Sequence, residues 1–233
     1  MLSGFRVISH RPEWMPAGYQ APRHRHLEAY ATIVLDGAYD QFAYAGHLRA
    51  RAGAVLVQPT LDSHADAMLS AGVRLLRLPW RREAGFGGVY RVPGLDLIVR
   101  LADRDVREAA GLLAEAVDRT APRPGVIADC ADLLAQALRD RPGLSIGGWA
   151  RAHGLVRETV SRRFLRAYGV TPSRFRAELR GREAWLRATG SRQPLACIAA
   201  ELGFADQAHM TRAIGRMTGD SPAAWRRRLA RAA

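Results

Sequence analysis

The chain has 233 residues, 48% of them hydrophobic and 24% charged, with a formal net charge of +13. That length supports a substantial core and one or two domains. No apolar run reaches the length of a membrane span, which excludes an integral helical membrane protein. Every one of the 35 basic residues is Arg, and 17 of them, against 6 of the 22 acidic residues, fall after residue 143. A basic C-terminal third behind a nearly neutral body points to a polyanionic partner.

The N-terminal MLSGFRVISH lacks the long apolar core of a signal peptide, so the expected location is cytoplasmic. From about Phe5 to Val99 the apolar runs are short and punctuated by Gly or Pro. AYATIVL (29–35), YDQFAY (39–44), GAVLVQP (53–59) and GVRLLRLPW (72–80) predict strands, and Asp36-Gly37 predicts a hairpin turn. Many short strands with frequent turns predict a sandwich or a small barrel.

From Asp103 the period becomes helical. DRDVREAAGLLAEAVDRT puts Val106, Ala109, Ala110, Leu113, Ala116 and Val117 on one face. A Pro- and Gly-rich break at 120–125 precedes a second stripe through Ile127, Cys130, Leu134 and Leu138. This pair offers apolar faces for a homodimer partner or for the strand domain. Arg141-Pro142-Gly143 ends the second helix and marks a domain boundary. The isolated Cys130 and Cys197 sit in apolar helical patterns and are expected as buried thiols in a reducing compartment.

After that boundary the chain repeats itself. Ala150, Gly154 and Leu155 match Ala199, Gly203 and Phe204 at an offset of 49. Beyond the turn Val160-Ser161-Arg162, Phe164, Arg166, Gly169, Thr171-Pro172, Phe175 and Arg176 match residues 50 positions later. Two copies of one supersecondary unit are present. Each reads as helix, tight turn, helix, with Gly154 and Gly203 at the turns and Asp206 as an N-cap. Val160 with Phe164, and Met210 with Ile214, are spaced to anchor the second helix of each unit, leaving Ser161, Arg162, Thr211 and Arg212 to project. A helix-turn-helix lays its second helix in the DNA major groove, where Arg can grip guanine O6 and N7.

On these motifs residues 144–228 resemble the tandem helix-turn-helix DNA-binding domain of the AraC family of bacterial transcription regulators. Gly203-Phe204, Asp206-Gln207, Arg212, Gly219, Ser221-Pro222 and Arg226 stand in the family's pattern, and Ile214 departs from its usual Phe. The resemblance implies that Gln207, Ala208, Thr211 and Arg212 face one major groove and Arg157, Glu158, Ser161 and Arg162 the neighbouring one. Glu158 either accepts from a cytosine amino group or sits at a helix N-terminus where negative charge is favourable. A long helix from Pro172 to about Ala188 is expected to join the units.

Gly18 with His24 and His26, Gly37, and Gly53 with Pro59 and His64 resemble the two motifs of the cupin barrel, the usual N-terminal domain of such regulators. The resemblance implies metal ligands His24, His26 and His64, with Tyr30 where the motif's Glu would stand. Glu28 and Asp62 are further candidate oxygen donors. Three imidazoles suit Zn²⁺, Ni²⁺ or a similar divalent ion, or else line an organic-effector pocket. Aromatic candidates for that pocket are Tyr30, Phe42 and Tyr44, with Trp14 and Trp80. His10, His47 and His153 are expected on the surface or in loops.

The sequence therefore predicts an α+β protein of two domains, divided into a cupin-like β-barrel sensor (1–100), a helical linker and dimerisation element (101–143), and an all-α tandem helix-turn-helix domain (144–233). Its expected function is transcription regulation, without enzymatic activity. Expected partners are double-stranded DNA, a small-molecule or metal effector, RNA polymerase and a second copy of the chain. The competing reading is a metal-dependent cupin enzyme with an accessory DNA-binding domain.

Overall fold

The computed structural model describes residues 10–81 and 87–232. The signal-peptide reading falls largely on residues 1–9, outside the described residues. Seven strands, β1 (Glu13–Met15), β2 (Gln20–Arg25), β3 (Tyr30–Ala43), β4 (Gly46–Arg51), β5 (Val55–Gln58), β6 (Ser63–Pro79) and β7 (Gly88–Tyr90), form one sheet. Its order is β1-β6-β3-β5-β7, with β2 on β6 and β4 on β3, and the pairs are antiparallel. Among the described residues this path is open, running from β1 to β7.

Alternation along the strands explains both sides of the sheet. Ala31, Ile33, Val55, Val57, Leu76 and Leu78 join one buried cluster, while Val34, Leu56, Val73 and Leu75 join another. Successive side chains point to opposite faces, so the continuous apolar runs are those of strands covered on both sides.

Asp36-Gly37 is not a hairpin turn. Strand β3 passes straight through it, and the turn comes later, between Ala43 and Gly46. The ladder to β6 slips at Val34/Asp36 and again at Gly37/Tyr39. Gly37 takes φ +73° there, and a Cβ on it would collide with the Gly72 carbonyl oxygen. The Asp-Gly pair serves a bulge, which needs the same left-handed backbone as a tight turn.

Nine helices follow among the described residues: α1 (Leu95–Ala102), α2 (Val106–Asp118), α3 (Cys130–Asp140), α4 (Ile146–Ala152), α5 (Arg157–Tyr168), α6 (Pro172–Gly190), α7 (Leu195–Glu201), α8 (Gln207–Thr218) and α9 (Pro222–Ala232). Helix α1 lies where only strands were expected. Ile98 and Ala102 carry it onto the core it shares with α2 and the sheet.

The helix pair expected as a linker is split between two cores. Ala109, Leu113, Ala116 and Val117 of α2 pack on the sheet, whereas Leu134 and Leu138 of α3 pack with α4, α5 and α6. Apart from Ile127, the stripes offered for a dimer partner thus pack within the chain. Helix α3 also starts later than the pattern suggested. Asp129 caps it in a reciprocal box with Asp132, leaving Ile127 outside and exposed. Cys130 is half-buried and Cys197 is exposed on α7, so neither is the fully buried thiol the apolar pattern implied.

Candidate functional site

The repeat is structural as well as sequential. Helices α4 and α5 form the first helix-turn-helix and α7 and α8 the second, with α6 between them. Gly154 and Gly203 make the two turns at φ +65° and +69°. Each second helix is anchored by a fully buried pair, Val160 with Phe164 and Met210 with Ile214. Tyr168 stacks on Phe164 in the first unit, and Trp225 closes the second. Asp206 caps α8 by accepting from the His209 amide at 2.6 Å.

Opposite those anchors lie the residues expected to read DNA. Arg157, Glu158 and Arg162 on α5 are exposed, and Ser161 is half-buried. Gln207, Ala208 and Arg212 on α8 are exposed, and Thr211 is half-buried. Glu158 lies in the first turn of α5, where the helix dipole favours its charge.

The three histidines meet. His24 and His64 are register partners on β2 and β6, their rings 4.4 Å apart. His26 lies just past β2, its ring 5.1 Å from His24 and 5.6 Å from His64. One donor atom from each falls within 4.8 Å of the others. Tyr30 closes the group, its hydroxyl 3.3 Å from His64 Nε2. His64 is 1% exposed, and its Nδ1 has no hydrogen-bond partner. Burial, reinforced by His24 and His26, holds its pKa well below the ordinary imidazole value. A neutral imidazole with an unpartnered buried nitrogen beside two others fits a divalent metal ion.

The oxygen donors do not join the cluster. Glu28 is exposed in the turn between β2 and β3. Asp62 is buried elsewhere, accepting from the Tyr44 amide at 3.3 Å. Burial raises its pKa to about 6, partly offset by Arg182 and Arg23. The three aromatic residues proposed as an effector pocket do not converge either. Tyr30 packs on His26, Phe42 on His47 and Tyr168, and Tyr44 on Phe175 of α6. Two bulges separate Tyr30 from the others along β3, and Phe42 and Tyr44 pack against helices. Trp14 is largely exposed, and Trp80 belongs to the core under α1 and α2.

His47 is no surface residue. It is buried, with Nε2 3.3 Å from Asp40 and Nδ1 3.4 Å from Asp132 of α3. Burial opposes its charge, but the Asp132 and Asp40 carboxylates beside the ring outweigh that and raise its pKa to about 9. Tyr168 donates to the same Asp132 at 3.0 Å, tying α5 into the group. His10 and His153 are exposed, as expected.

A second seam forms around Glu178 of α6, which is buried. Arg23 donates to it from Nε and Nη2 at 3.2 Å, Arg25 lies 3.6 Å away, and Arg174 donates at 3.0 Å. The reading of the sequence missed these contacts. Their one signal is the alternation Arg23-His24-Arg25-His26, which puts the arginines on the face opposite the histidines.

Two helix-turn-helix units joined by one long helix define a tandem helix-turn-helix DNA-binding domain. Residues 149–228 match the family model of the helix-turn-helix domain, and this C-terminal domain is of the AraC type. None of the curated protein sequences compared with the chain matches it. Among solved structures, the C-terminal domain of AraT, a response regulator from Geobacillus stearothermophilus, is 18% identical, covering 43% of this chain and 85% of that one, with a TM-score of 0.39. ToxT from Vibrio cholerae, solved with an unsaturated fatty acid bound, is 8% identical over 92% of each chain, with a TM-score of 0.42. The C-terminal domain of the two-component response regulator yesN from Fusobacterium nucleatum is 15% identical, covering 40% and 94%, with a TM-score of 0.37. Among the described residues no helix is long and apolar enough to cross a membrane.

Proposed function

We propose that this chain is a sequence-specific transcription regulator in which the sheet-forming N-terminal part, which we read as cupin-like, senses a ligand and adjusts DNA binding by the C-terminal domain. One observation carries the DNA-binding half. Two recognition helices, built alike 50 residues apart, are locked by fully buried anchors and present Arg162 and Arg212 on their open sides. Each unit reads one of two adjacent major-groove segments roughly 10 bp apart.

Arg212→Ala tests it. Specific-site affinity falls by about 1–3 kcal/mol through loss of a base-edge contact, with a smaller loss on random DNA. Fluorescence anisotropy on both duplexes measures the difference. Equal losses reduce Arg212 to a phosphate contact.

For the sensing half we read His24, His26 and His64 as the ligands of one divalent ion. The unpartnered His64 Nδ1 supports this. Tyr30 occupies the motif's carboxylate position and contacts His64, which supports a sensor over a catalyst. Bound there, the ion supplies a rigid crosslink between β2 and β6. Metal-free protein takes up about one equivalent of Zn²⁺ or Ni²⁺ per chain in titration calorimetry, and His64→Ala abolishes uptake. Ligand type alone does not name the ion, because Irving–Williams ordering favours several. No uptake by the wild type makes this an organic-effector site.

A further inference from the structure

The two chain segments that carry the histidines also hold the DNA-binding domain. On the face of β2 opposite the cluster, Arg23 reaches the C-terminal end of α5, donating from Nη1 to the Tyr168 carbonyl at 3.3 Å. Its stem packs on Gly169, where a Cβ would stand 3.1 Å from the Arg23 Cβ. Two residues on, Arg25 donates from Nη1 to the Met217 carbonyl in the last turn of α8 at 3.3 Å. Glu178 of the connecting helix lies between them and accepts both charges. The C-terminal end of a helix carries partial negative charge and unpaired carbonyls, so a guanidinium is a matched grip there.

The segment before His64 does the same. Leu61, held at φ +58°, is fully buried in one cluster with Trp185 of α6 and with Ile198 and Met210 of the second unit. The Thr60 carbonyl accepts from Arg182 of α6 at 2.8 Å. The Leu61 amide donates to the His26 carbonyl at 3.0 Å, joining the two segments. A non-glycine residue in this left-handed conformation persists only where its surroundings enforce it.

We propose that Arg23 and Arg25 are positioning residues for DNA reading: β2 brackets the ends of both recognition helices, and a divalent ion on its histidine face fixes the spacing of the two reading heads. A metal at His24, His26 and His64 ties β2 to β6 and so removes freedom from the bracket. Pre-setting the spacing tightens binding to a site that spans two groove segments and leaves binding to a single segment unchanged. This inference rests on the metal reading above.

The test uses the full chain, Zn²⁺ as the probe, a duplex selected from random sequence by the zinc-loaded protein, and a shortened duplex keeping one groove segment. Zinc uptake is measured separately by calorimetry. In the wild type, zinc tightens binding to the long duplex by about 5-fold or more and leaves the short one unchanged. Arg25→Gln and Glu178→Gln keep zinc uptake and short-duplex binding but lose the zinc effect on the long duplex. A merely destabilising substitution lowers binding to both duplexes, and the wild-type comparison then decides alone. Zinc uptake without selective tightening on the long duplex overturns this proposal and spares the metal reading. A zinc effect that survives in both folded variants does the same. No uptake by the wild type overturns both.

Discussion

The two helix-turn-helix units share a plan but differ in what surrounds them. The first is embedded: α5 packs on α3, Tyr168 bonds Asp132, and Arg23 grips its end. Its core is an aromatic box of Phe164, Tyr168 and Phe175. The second unit relies on Met210, Ile214, Met217 and Trp225, and reaches the sheet through Arg25 and Leu61. Two copies of one motif have thus diverged where they touch other elements, while turn glycines and the positions of the buried anchors stayed alike. The first unit meets the sheet together with α3, whereas the second meets it through the end of β2 and the Leu61 segment.

Substitution at the equivalent anchors should expose that difference most strongly. Phe164→Ala empties the aromatic box and costs about 3–5 kcal/mol. Ile214→Phe, which installs the residue usual in the resembling family, is destabilising here by about 1–3 kcal/mol, because Met210, Met217 and Trp225 already fill the space. Urea unfolding of both variants measures this. A stabilising Ile214→Phe would mean that the second core is underpacked.

The polar side of the embedded unit gives a pH signature that the other lacks. His47, raised to about 9, bridges Asp40 and Asp132. A base whose folded pKa exceeds its unfolded value of about 6.5 contributes fully below that value. The contribution fades as pH rises from there through about 9, and is on the order of 3 kcal/mol. Denaturation midpoints should therefore fall between pH 7 and pH 9.5, and His47→Asn should flatten that slope. Asp62, raised to about 6 by burial, also costs stability as pH rises, but its effect is complete near pH 7. It does not confound the alkaline limb. A slope unchanged in His47→Asn would remove His47 as its source.

Legibility in the sequence followed the range of the interactions. The helix-turn-helix pair could be read because a 50-residue repeat, turn glycines and i, i+4 anchors are local, and the long connecting helix began at Pro172 as expected. The pairing of His24, His26 and His64 was legible only through resemblance to a motif. Asp36-Gly37 was misread because a bulge and a hairpin demand the same backbone from the same residues. The two seams left no local signal. His47 is 85 residues from Asp132 and Arg23 is 155 from Glu178, so only the folded chain shows that these charges are buried and paired.

The smallest difference between the units lies at the first residue before each recognition helix. Asp206 caps α8 with its side chain, whereas Val156 stands at the same point of α5 with no side-chain bond and 63% exposed. Its backbone is already in the extended conformation that a cap requires, at φ −80° and ψ 130°. Val156→Ser should therefore stabilise α5 by about 0.5–1 kcal/mol, adding an acceptor for an amide in the first turn without adding charge beside Arg157. Asp206→Ala should cost the second unit about 1 kcal/mol. Thermal unfolding of the two single variants and the double variant gives both values, and sites this far apart should add. If Val156→Ser gains nothing, the apolar side chain contributes through a contact of its own. The difference at the caps would then reflect what each helix meets beyond its end, as the seams already do.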